Sequence, residues 1–159
     1  MGDAQILFGS LLRDHIAPVL RGEGLKGSGS TFRLKGDGVW GVINFQRRRR
    51  YSTADEIRFT VNVSVASERL RHMTYGWHEG APPSEENCGL RQRIGFMLPD
   101  RPPADWWWIL DGTTDLDQLS ADIAGYLIAA AVPFLRSFRK DQDLRDFWLR
   151  GLSQPKSRA

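Results

Sequence analysis

The chain has 159 residues, 41% of them hydrophobic and 26% charged, with one cysteine and a net charge of +3. That length and balance suit one folded domain with its own core and exclude a disordered chain, while a single thiol excludes an internal disulfide and a multi-cysteine zinc site. The charge is too small to impose a nucleic-acid partner, but it is uneven: residues 1–50 carry +5, residues 51–110 carry −2 and the remainder is balanced.

The first segment, about Asp3 to Arg21, predicts an amphipathic helix, with Ile6, Phe8, Leu11, Leu12, Ile16, Val19 and Leu20 at helical spacing. Pro18 should kink or loosen its last turn, and Gly22-Glu23-Gly24 should end it. From Thr31 the period changes to two. Thr31–Lys35 alternates, Gly36-Asp37-Gly38 is turn chemistry, and Val39–Gln46 returns as a strand apolar enough for the middle of a sheet. The clearest strand puts Ile57, Phe59, Val61, Val63 and Val65 on one face and Arg58, Thr60, Asn62 and Ser64 on the other. Strict alternation implies one buried face and one wet or partner-covered face.

Residues 66–89 carry Gly, Pro and Glu and predict a long irregular loop. A fourth strand is expected over about Leu90–Leu98 and a fifth over Asp105–Leu110, separated by the Pro99–Pro103 turn. Thr113-Thr114-Asp115 should open a second long helix striped by Leu116, Leu119, Ile123, Leu127, Ile128 and Ala131, bent or broken near Ala130 by Pro133. A short helix from Asp141 to Arg150, ended by Gly151, precedes a polar tail over residues 153–159. Helix, strands, then helices is the order of an α+β domain over residues 1–152. We expect an antiparallel sheet of about five strands with the N-terminal and C-terminal helices packed on one face.

The residues Pro18-Val19-Leu20, Gly24-Leu25-Lys26-Gly27, Thr31-Phe32-Arg33, Ile43-Asn44-Phe45-Gln46, Phe59-Thr60-Val61-Asn62-Val63, Cys88-Gly89-Leu90-Arg91, Trp106-Trp107 and Pro133-Phe134-Leu135 carry a family resemblance. In this order the chain resembles a bacterial domain-of-unknown-function family, the one numbered forty-three-oh-four, over roughly residues 6–150. The resemblance implies a small bacterial α+β domain and carries no catalytic residues with it. The four-arginine run departs from the family pattern.

Catalytic and cofactor motifs fail on context. Gly22-Glu23-Gly24-Leu25-Lys26-Gly27 spells G-x-G-x-x-G, but it follows a helix and precedes a strand, the reverse of a dinucleotide turn. The stretch to Thr31 reads instead as a flexible connection. Cys88 with His72 or His78 makes a thiolate–imidazole pairing conceivable, whereas a cysteine leading into a strand is more commonly a small core residue. The three histidines lack metal-ligand spacing, so no metal or other cofactor is expected.

Two features remain. Arg47, Arg48, Arg49 and Arg50 form one run that should project from a hairpin end, where four guanidinium groups can hold phosphates or an acidic surface. In sequence only Tyr51 stands beside them as a stacking partner; the plain alternative is a solvated loop that discourages strand-edge pairing. Trp106, Trp107 and Trp108 are consecutive, so Trp107 must face opposite to its neighbours. Either the 66–89 loop folds over indole surface or a partner covers it. The leading expectation is a non-enzymatic, cytoplasmic module that binds a protein partner through the open sheet face and a rim of Arg47–Arg50, Trp106 and Trp108. Binding of phosphate or nucleic acid by the arginine run comes second, and a Cys/His enzyme third. No membrane partner is expected, because no apolar run reaches the roughly 20 residues a span requires; nor is a secretory signal expected at the N-terminus.

Overall fold

The computed structural model describes residues 2–153. Helix α1 runs through Asp3–Ser10, Leu11–Ile16 and Ala17–Gly22. Six strands follow: β1 Lys26–Ser28, β2 Thr31–Lys35, β3 Val39–Arg47, β4 Glu56–Ser67, β5 Leu90–Arg93 and β6 Trp108–Asp111. Helix α2 runs through Leu116–Tyr126, Leu127–Ala131 and Val132–Arg136, and α3 spans Asp141–Ser153.

Every strand pairing is antiparallel. The order is β1-β2-β3-β4-β5, with β6 also paired to β4. Strand β4 is long enough to hold two partners on one edge, β6 against Glu56–Phe59 and β5 against Asn62–Val65. The alternation that predicts it is also what fixes its faces. Ile57, Phe59, Val61, Val63 and Val65 are fully buried against the helices, in one core with Phe8, Leu11 and Ile16 of α1, Ile123, Leu127 and Leu135 of α2, and Leu144 of α3. The ring of Phe59 sits 5.0 Å from Phe8 and 5.8 Å from Trp108. The α+β fold and the single helix-covered face are thus as expected.

Several local expectations are corrected. The glycine-rich connection is partly a strand: Lys26–Ser28 pairs with Thr31–Arg33 through a tight turn at Gly29-Ser30, where Gly29 takes φ +62°. Neither proline breaks its helix. Each long helix widens into π-type turns, Leu11–Ile16 and Leu127–Ala131, just ahead of Pro18 and Pro133. The wider turn makes room for the ring and for the carbonyl it leaves without a donor. The fourth strand stops at Arg93, and Ile94–Phe96 forms a short 3-10 turn instead. The last helix continues through Gly151 to Ser153, and the expected tail beyond it lies outside the described residues. Within Leu116–Arg136, 21 residues long, an 18-residue window reaches a mean hydropathy of 1.4, so by length and composition alone this helix passes for a membrane span. Its Ile123, Leu127, Ala131 and Leu135 stripe is packed on the sheet.

The sheet's other face is not simply open. Of β4's polar row, Thr60, Asn62 and Ser64 are all buried. Residues between β4 and β5 fold back across this face, so that Trp77 and Cys88 cover Val42 and Ala66 in a small second cluster beside Trp40. Thr60 Oγ1 donates to the Trp106 carbonyl at 2.7 Å.

Candidate functional site

The uncovered part of that face is a groove of about 840 Å³ at the β3–β4 hairpin end. Its floor is polar and neutral. Strand register sets Thr31 beside Asn44 and Asn44 beside Asn62. Asn44 Nδ2 donates to Thr31 Oγ1 at 2.9 Å, and Asn62 Nδ2 donates to Gln46 Oε1 at 2.9 Å. Thr31, Asn44 and Gln46 face the groove, while Asn62 lies beneath them, 5% exposed. One hydroxyl and three amides, linked across three strands, tie the floor together.

The walls are cationic. Arg33 comes from β2, Arg47 from the end of β3, Arg48, Arg49 and Arg50 from the connection to β4, and Arg91 from β5, with Glu85 and Glu86 the only carboxylates in the lining. The connection is tied down by hydroxyls. Ser52 Oγ accepts from the Arg58 amide at 3.1 Å, Thr53 Oγ1 accepts from the Glu56 amide at 3.1 Å, and Arg49–Tyr51 makes one 3-10 turn. The arginine run is therefore held on an ordered loop.

The six guanidinium groups differ in what engages them. Arg91 grips Glu85 through two bonds of 2.7 and 2.8 Å, which holds Arg91 above its ordinary pKa. Arg33 Nε donates to the Pro83 carbonyl at 2.7 Å. Arg47 turns toward α1 and reaches Gln5 Oε1 at 3.5 Å. Arg48 lies over two rings, 4.4 Å from the centre of Tyr51 and 5.2 Å from that of Trp107. For Arg49 and Arg50 there is no side-chain hydrogen bond or ion pair among the described residues.

The tryptophans divide as their spacing requires, but the choice of Trp106 and Trp108 as a shared rim does not match their positions. Trp108 is 8% exposed and stacks on Phe59 in the helix-side core. Trp106 lies on the same side, 36% exposed, with Arg101 over it at 4.1 Å. Trp107 is the one brought to the arginines, with Arg48 on it and Arg93 4.9 Å from its ring centre. Sequence reasoning missed Arg33, Arg91, Asn44, Gln46 and Trp107. The period-two alternation of β2 and β3 carries a signal for Arg33, Asn44 and Gln46, which are polar positions of their strands.

Cys88 is a packing residue. It is 5% exposed, its Sγ donates to the Ser84 carbonyl at 3.5 Å, and burial together with the Glu85 charge pushes its thiol up to about 12. Such a thiol supplies almost no thiolate at neutral pH. His72 and His78 are both exposed, and no cluster of metal-ligating side chains occurs among the described residues. His15 sits at the α1–α2 contact, its Nδ1 3.3 Å from Ser120 Oγ.

No curated protein and no solved structure matches the chain. One family model does match, described as a domain of unknown function, DUF4304, over residues 16–137, a span that includes every residue lining the groove. The chain belongs to the DUF4304 family.

Proposed function

We propose that the chain binds a phosphate-bearing anion in the arginine groove. The observation that carries this reading is an imbalance: six arginines line one concavity, and among the described residues only Arg91 is matched there by a carboxylate. Like charges gathered in a groove repel one another, and a bound polyanion relieves that repulsion while accepting forked guanidinium hydrogen bonds. The neutral amide floor adds donors without cancelling the field. A protein partner on the open sheet face has weaker support, because the chain's own 68–89 segment covers Val42 and Ala66 and Trp108 lies in the core.

The test is calorimetric titration with inorganic polyphosphate at several salt concentrations. Binding should weaken steeply as salt rises, and R48S/R49S/R50S should abolish it. A control, R13S/R139S/R145S, removes equal charge from outside the groove and should retain most of the affinity. Equal losses in the two variants, or no binding by the wild type, would refute the reading.

A further inference from the structure

At Arg33, whose Nε is held by the Pro83 carbonyl, the groove meets a second cavity. This cavity, of about 520 Å³, is bounded by Lys26, Leu34, Lys35, Trp40 and Pro82. Both cavities lie along the same face of β2 and β3, since Arg33 and Lys35 are two apart on β2 and Trp40 and Gln46 six apart on β3. From Trp40 to Arg47 β3 covers roughly 23 Å at about 3.3 Å per residue; the 68–89 segment covers its middle at Val42, so the two cavities meet along β2 at Arg33. Cations recur along this length: Lys26 and Lys35 at one end, Arg33 in the middle, Arg48, Arg49 and Arg50 at the other.

Aromatic rings stand at both ends. Tyr51 is 52% exposed in the first cavity, and Trp40 lines the second with Lys35 5.3 Å from its ring centre. The second cavity adds Leu34 and Pro82, a lining that suits a flat ring better than a bare phosphate. Between the ends lie the amides of Asn44 and Gln46. The Gln46 Nε2 donors have no partner among the described residues, so they are free to meet a base edge. The fold thus supplies the interleaving of rings and cations that the arginine run lacks in sequence. Opposing it, Glu86 places a carboxylate on the first cavity's border beside Arg91, and Trp40 Nε1 donates to Glu68 Oε1 at 2.8 Å.

Resting on the anion-binding reading, we propose that the occupant of this track is a single-stranded nucleic acid. Its phosphates lie along the Arg33 and Arg48–Arg50 line, and its bases stack on Tyr51 and Trp40. Cationic tracks with aromatic platforms bind single strands because every base has a π-face, and each stacked base contributes about a 5- to 150-fold affinity.

Fluorescence anisotropy with labelled twelve-nucleotide oligo-dT and oligo-U, a duplex of equal length, and unlabelled polyphosphate as competitor tests this. We expect both single strands to bind at least tenfold more tightly than the duplex. Tyr51→Ala, on an exposed turn, and Trp40→Ala should each weaken the single strands about 5- to 150-fold while leaving competition by polyphosphate within twofold. Trp40→Phe, which keeps a ring, should restore most of the loss and controls for folding. If the aromatic variants bind oligonucleotide as the wild type does, or the duplex binds as well as the single strands, the single-strand proposal fails and the anion reading survives. If polyphosphate does not bind either, both fail.

Discussion

Ser64→Ala should stabilise the protein. Ser64 lies in β4 between Val42 of β3 and Arg91 of β5, is fully buried, and its Oγ has no hydrogen-bond partner among the described residues. A hydroxyl taken out of water without a new bond costs about 1–3 kcal/mol. Alanine removes that cost and keeps the Cβ, losing only the packing of one small atom. The net expectation is a gain of about 1 kcal/mol, or about 2–4 °C in Tm for a chain of this size. Urea unfolding reads it directly: the midpoint should rise with the slope unchanged. A variant destabilised by about 1 kcal/mol or more would show that the hydroxyl is bonded in solution, and that the cover formed by Trp77 and Cys88 over this face is looser than described.

Three further outcomes are expected. With its thiol pushed up to about 12 from an ordinary 9.0, Cys88 should react with iodoacetamide near pH 8 roughly 1000-fold more slowly than an unperturbed cysteine, in proportion to its thiolate fraction; labelling at the unperturbed rate in folded protein would contradict its burial. Because the folded thiol titrates above the unfolded one, its contribution to stability is complete below about pH 9 and is lost as pH rises toward 12. Tyr126 donates to Asp100 at 2.8 Å, accepts from Arg101 at 2.7 Å, and holds the Asp100 carboxyl below its ordinary range. Tyr126→Phe should therefore raise the Asp100 titration midpoint, followed by NMR, and increase protease cutting in the 99–107 segment; an unmoved midpoint would remove the tyrosine as the cause. Phe59→Ala, at the contact of Phe8, Phe45 and Trp108, should cost about 3–5 kcal/mol by thermal or urea unfolding; a cost below about 1 kcal/mol would deny it a central place in the core.

What was legible in the sequence follows from which signals are local. Period-two alternation over Ile57–Val65 fixes both the strand and its buried face, and it holds in the structure because five branched or aromatic side chains can all be buried only one way. Strand β1 has no such signal. Lys-Gly-Ser has no apolar residue to point inward, and the strand exists because β2 offers it an edge. The shortening of β5 is set at a distance: a Cβ on Gly95 would run into the Ala104 carbonyl, so the turn there depends on where residues 104–106 cross. The tryptophan triplet shows the same limit. Their alternation is readable, but three identical residues do not say which face the helices take, and the structure gives that face to Trp106 and Trp108. Likewise the arginine run is visible in sequence, whereas its company of Arg33, Arg91 and Trp107 comes from β2, β5 and the flank of β6.

Side-chain NMR of the arginine Nε–Hε groups during titration with inorganic polyphosphate tests the central claim most directly. The account predicts saturable shifts at Arg33, Arg48, Arg49 and Arg50 with Arg13, Arg136 and Arg139 little changed. Shifts spread evenly over all of these arginines, or absent from the groove, would contradict it.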